Sequence, residues 1–270
     1  MLLGQMNIDR LRNRRVAVFG IGGVGGHAVE ALCRSGVGMI DIFDGDVVDV
    51  SNINRQIIAT HKTVGRDKVD VMRERLLEID PDVIVVARKL FYLPETASDV
   101  DLSVYDYVID AVDTITAKIE LVCRATALGV PVISSMGAAN KLDPTAFEVA
   151  DIYDTSVCPV ARIMRGELRK RGVESLKVVY SREAPIKGKR GDDSLPVKQS
   201  REPSASFASA HSVTDRLVSA HSASAHSASA HSASARSASP RSSPVPGSVP
   251  FVPPVAGLIL AGEVVKDLIE

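Results

Sequence analysis

A chain of 270 residues with 45% hydrophobic side chains can bury one large core or two small ones, which excludes a peptide-sized module. A formal net charge of −1 with 24% charged residues excludes a histone-like polycation and a wholly disordered acidic chain. No run reaches the roughly 18 apolar residues a spanning helix needs, no charged-then-apolar leader opens the chain, and Cys33, Cys123 and Cys158 form neither a CxxC pair for zinc nor a disulfide framework. A soluble protein of a reducing cytoplasm is expected. With no Trp and 4% aromatics, a base-stacking sheet is not expected either, so any RNA would be gripped by its backbone.

From Arg15 the chain alternates short Val- and Ile-rich runs with amphipathic stretches: strand 16–19, helix 27–34, strand 39–43, helix 67–79 and strand 83–87. Such runs lack polar alternation, as parallel strands covered on both faces do. Strand 107–111, helix 116–128 and strand 130–134 follow, which predicts an α/β, Rossmann-like, doubly wound and mostly parallel sheet. Beyond Gly137 come strand 147–152, a proline-opened helix 159–171 and strand 177–180. Residues 190–246 read as a low-complexity, disordered insertion, with the unit SAHSA three times and then SARSA over 219–238. Residues 247–270 recover helical spacing through Val255, Leu258, Ile259, Val264 and Leu268 and complete the domain begun by 1–189; as a membrane element they support at most a peripheral contact.

The strongest local signal is Gly20-Ile-Gly22-Gly23-Val-Gly25 between the first strand and the first helix. Gly20 permits the tight turn, Gly22 lets phosphates approach the backbone, Gly25 allows close packing, and free N–H groups at the helix start attract anions. Asp44, ending the next strand, is placed to accept from ribose hydroxyls. The motif by itself leaves NAD, FAD and ATP open. The polar loop that follows, with Asp46, Asn52, Asn54, Arg55 and Gln56, argues for ATP, because a dehydrogenase would start its second helix there. Adenylation builds charge on the α-phosphate, so Arg55 and Lys68 are the candidate cations. Asp113 follows the fourth strand at the carboxyl edge, where a carboxylate can hold magnesium. Lys68 as a solvated cation, and Asp110 and Asp113 as helix caps, are the competing structural readings.

GIGGVG, DGDVVDVSNINRQ, Lys68 and DAVD resemble the ThiF/MoeB superfamily related to ubiquitin-activating enzymes. Within it, RRVAVFGIGGVGGHAVEALCRSGVG, NINRQI and NKLDPTAFEVADI look most like the tRNA threonylcarbamoyladenosine dehydratases. The resemblance implies a homodimeric enzyme that uses ATP and Mg2+ to cyclise the threonylcarbamoyl group of modified tRNA, with no DNA partner. It implies that Gly22, Gly23 and Gly25 contact the nucleotide, Asp44 the ribose, Arg55 and Lys68 the phosphates, and Asp113 the magnesium ion. Related proteins also work with a cysteine desulfurase and sulfur-acceptor system. Relatives carry an arginine upstream of the stretch matching Leu2-Leu3-Gly4 that reaches across the dimer to ATP.

Cys158, before a helix, is the candidate thiol for sulfur transfer, and a small buried core residue is the competing reading. Between Pro159 and Arg190 ten cations face three acids, an excess of seven that predicts an RNA surface centred on Arg162, Arg165, Arg169, Lys170 and Arg171. An activator of a ubiquitin-like sulfur carrier, a non-catalytic tRNA-binding relative and an NAD-dependent oxidoreductase remain open alternatives.

Overall fold

The computed structural model describes residues 2–186 and 247–270. The expected insertion 190–246, its histidines, and the cations Lys187, Lys189 and Arg190 lie outside the described residues.

Seven strands form one sheet: β1 (Arg15–Phe19), β2 (Met39–Phe43), β3 (Ile84–Arg88), β4 (Tyr107–Asp110), β5 (Val132–Ser135), β6 (Phe147–Asp151) and β7 (Lys177–Ser181), in the order β3-β2-β1-β4-β5-β7-β6. All neighbours run parallel except β6, which pairs antiparallel with β7 at the edge. The alternation of side chains splits each strand between two cores. Val16, Val18, Ile40 and Ile42 face α1 (Gln5–Arg12), α2 (Gly25–Arg34), α3 (Lys68–Ile79) and α6 (Pro253–Ile269). Ala17, Phe19 and Phe43 face the other way, toward α4 (Ile115–Ala127) and the loop at 90–105, while α5 (Pro159–Lys170) packs farther along that face.

Register positions the functional edge. Phe19 lies abreast of Phe43 and of Asp110, so Gly20, Asp44 and Ala111 leave the sheet side by side at its carboxyl end. The Phe19 and Phe43 rings stack at 4.3 Å between centroids and stiffen that edge from below.

Three expectations change. The helix α1 is not signalled by the sequence pattern; it buries only Leu11 fully and ends in cations. The apolar run of β3 is not covered on both faces: it is an edge strand, with Ile84 59% exposed. In α6 the buried stripe is Ala256, Gly257, Leu260, Ala261, Val264 and Leu268, whereas Leu258 faces outward. The small residues decide this, because a Cβ at Gly257 would lie 3.1 Å from both the Ala28 nitrogen and the His27 Cβ, so α6 seats directly on α2. The apolar face of the C-terminal segment is spent inside the fold, which removes the ground for a peripheral membrane contact; among the described residues no helix is long and apolar enough to cross a membrane.

Candidate functional site

The glycine turn is built by its neighbours. Gly20 has φ +88°, a left-handed conformation that an L side chain rarely adopts, and a Cβ there would stand 2.6 Å from the Ala111 carbonyl oxygen. A Cβ on Gly25 would strike the Gly20 carbonyl. The Gly22 and Gly23 N–H groups donate to nothing among the described residues and sit just ahead of α2, which makes an anion seat.

Asp44 locks this turn to the next strand. Its Oδ2 accepts from the Ile21 N–H at 2.7 Å and its Oδ1 from the Asp46 N–H at 2.9 Å. Burial pushes its carboxyl above the usual carboxylate range, while Lys68 and the two N–H groups pull it back. Lys68 opens α3 with its side chain 6% exposed, so the solvated-cation reading fails: the backbone bridge of Val47 with Asp67 turns the first residue of α3 inward. Its Nζ donates to Asp46 Oδ2 at 2.7 Å and lies 3.7 Å from Asp44 Oδ1. The Asp46 carboxylate is itself half exposed, a partner that an arriving phosphate can displace.

The polar loop divides its labour. Asn52 is buried and accepts the Asp49 N–H, and its carbonyl receives the N–H groups of Arg55 and Gln56, so it shapes the bend that carries them. Asn54 donates to the Ser248 carbonyl at 2.9 Å and ties the loop to the chain entering α6. Arg55 lays its stem on Gly23, its Cγ 3.4 Å from where a Cβ would be, and its exposed guanidinium donates to the Ser51 carbonyl and Asn54 Oδ1. Gln56 is buried facing Gly22, and its Oε1 has no partner among the described residues.

Asp113 is exposed on the turn after β4, where its carboxylate receives a long 3.4 Å bond from the Thr114 hydroxyl. Thr114 is the N-cap position of α4, so the helix-cap reading fails for both acids, and Asp110 is fully buried against Lys118. Among the described residues no three His, Cys, Asp or Glu gather as metal ligands. That donor set fits magnesium held by one carboxylate and by substrate phosphates, and not an all-protein cage.

Phe91 went unnoticed in the sequence. Its ring lies over Gly45, 2.5 Å from where a Cβ would sit, and is 59% exposed beside Asp44. In a chain so poor in aromatics, an exposed ring at the carboxyl edge is the signal that could have found it.

The remaining cations and Cys158 lie elsewhere. Arg10 donates to the Ile269 carbonyl, and Arg12, Arg14 and Arg15 pair with Asp80, Asp106 and Asp41 at the amino end of β1, away from the glycine turn. On α5, Arg165 is tied to Thr155, Arg169 lies over the Tyr153 ring, and Lys170 and Arg171 both pair with Glu167. Arg162 is exposed and enters none of the described ion pairs. Cys158, at the N-cap position of α5, is 2% exposed and packs in the core that α4 and α5 share.

The ThiF family profile matches the chain over residues 1–270. This chain belongs to the ThiF family. The ThiF-family chain is 39% identical to the tRNA threonylcarbamoyladenosine dehydratase of Bacillus subtilis, over 100% of this chain and 92% of that one. It is 35% identical to the dehydratase of that name from Escherichia coli, over 68% of this chain and 72% of the relative. Its fold is similar to the crystal structure of the E. coli dehydratase in complex with AMP, with a TM-score of 0.74 at 26% identity over 99% of this chain and 90% of that one. The same E. coli protein in complex with ATP gives 0.73.

Proposed function

We propose that this ThiF-family chain is an ATP-dependent tRNA threonylcarbamoyladenosine dehydratase. The observation that carries the reading is the linked set Ile21, Asp44, Lys68 and Asp46 beside the Gly22 and Gly23 N–H groups, which have no partner among the described residues, because it offers an acceptor for ribose, donors for phosphate and a counter-charge in one corner. The ATP and AMP complexes of the similar E. coli dehydratase support a nucleotide there.

In this reading the triphosphate lies over Gly22, Gly23 and Gly25, with the ribose on Asp44 and the base against Phe91. The threonyl carboxylate of the modified adenosine attacks the α-phosphorus and pyrophosphate leaves, forming an acyl-adenylate. Lys68, released from Asp46 by the phosphates, and Arg55 oppose the charge that builds on the α-phosphate. A magnesium ion on Asp113 would supply a Lewis acid for the phosphate oxygens. A neighbouring group of the same modification then displaces AMP and closes the ring, helped by its proximity. The net change on the tRNA is the loss of one water. Cys158 has no part in these steps.

The same reading takes 1–189 and 247–270 as one adenylating unit interrupted by 190–246, in a cytoplasmic homodimer, with Arg162 and its neighbours on α5 facing the tRNA phosphates. Incubation with ATP, magnesium and threonylcarbamoyl-modified tRNA tests it. Mass analysis should find the nucleoside lighter by one water, and an unchanged nucleoside with intact ATP binding would sink the reading.

A further inference from the structure

Asp110 closes β4 with no exposed surface, and Lys118 of α4 is 3% exposed, so their 3.0 Å contact is an ion pair withdrawn from water. Ser134 of β5 completes the group: its hydroxyl donates to Asp110 Oδ2 at 2.5 Å, and Lys118 Nζ donates to Ser134 Oγ at 3.4 Å. Two buried ions lose hydration that an apolar pair of the same size would never have had, so stability is a weak reason for them to be here. Neither group can touch a ligand, because both are sealed beneath the edge of the sheet.

What they hold is the turn that carries Asp113. Through its second oxygen Asp110 accepts the Val112 N–H at 3.2 Å, and the Ala111 N–H donates to the Phe19 carbonyl at 2.8 Å. The folded corner presses on the glycine turn. A Cβ on Gly20 would lie 3.0 Å from the Val112 nitrogen, and one on Gly25 would lie 3.2 Å from the Ala111 Cβ. One carboxylate thus spans both sides of the site: Oδ2 is fixed by α4 and β5, and Oδ1 fixes the corner between the phosphate-facing glycines and Asp113.

We infer that Asp110, Lys118 and Ser134 are a positioning triad that presets Asp113 against the glycine turn, so that cation and phosphates meet a carboxylate already in place. This rests on the ATP-dependent reading. Preset charges cost no reorganisation during the reaction, which is where such groups act most strongly.

The test replaces both ions at once. Asp110→Asn with Lys118→Met removes the charges at similar size and keeps an acceptor for Val112. The double variant should bind ATP without magnesium within about twofold of the parent. Its magnesium-dependent gain in ATP affinity and its kcat should each fall roughly 10- to 100-fold, the usual cost of a displacement near 1 Å. Ser134→Ala should show a smaller loss in the same two readouts, and it decides the matter if the double variant does not fold. A folded double variant, or failing that Ser134→Ala, with parental magnesium–ATP affinity and kcat overturns the triad. A parent that binds magnesium–ATP but leaves modified tRNA unchanged sinks the dehydratase reading alone, and the comparison of ATP affinities with and without magnesium still judges the triad.

Discussion

Two of the lysine–aspartate pairs at the carboxyl edge of the sheet sit in opposite surroundings. Lys68 meets Asp46, a carboxylate half open to solvent, while Lys118 meets Asp110, which has no exposure at all. Both lysines lie near the start of a helix that follows a strand ending in or near an aspartate. Residue type is therefore no guide to role. A partner that water can reach can be exchanged for a phosphate, and a partner sealed from water can only hold its place.

The sharpest way to break the comparison is Lys68→Ala. It should lower turnover of modified tRNA about 10²- to 10³-fold, the scale of losing one preorganised charge-stabilising group, with little change in thermal stability. Single-turnover kinetics beside a melting curve would show it, and parental turnover would end the assignment. Lys118→Met alone should add a stability cost to its loss of turnover, destabilising the fold by about 3–5 kcal/mol because Asp110 is left buried without its cation. Denaturant titration reads this, and a parental midpoint would mean that the pair does not hold the fold.

Phe91→Ala sharpens the picture at the other end of the nucleotide. Stacking on an aromatic ring is worth about 1–3 kcal/mol per base, so the ATP dissociation constant should rise while kcat at saturation holds. Calorimetry with ATP decides it, and an unchanged constant would put the base elsewhere.

The smallest effect concerns pH. His27 donates from Nδ1 to the Gly23 carbonyl, and burial lowers its pKa below the ordinary histidine value. A folded-state pKa below the unfolded one means the unfolded chain binds the proton more readily. Stability from the neutral imidazole is therefore complete above the unfolded value of about 6.5 and is lost as pH falls toward the folded one. Comparing melting midpoints at successive pH values in the parent and in His27→Gln should show the parent losing more on acidification.

Much of the site was legible because short-range geometry encodes it. Gly20, Gly22 and Gly25 announce themselves by spacing, and Asp44 by its place at the end of the second strand. Asn52 and Asn54 read as nucleotide-facing, yet their side chains shape the loop itself, an outcome that depends on where the loop closes on itself and on Ser248. The basic run on α5 read as an excess of charge, but Glu167 neutralises two of its members and Thr155 engages a third. Phe91 gave no signal in the sequence because its place over Gly45 joins residues remote along the chain.

The sequence by itself determined the alternation of strands and helices, the glycine turn and the ThiF lineage, because periodicity and backbone conformation are properties of neighbours along the chain. Only the tertiary structure decided that Lys68 turns inward, that Asp110 is buried and Asp113 exposed, and that α6 spends its apolar face on α2. Those outcomes depend on burial, which arises when segments far apart in sequence exclude water together.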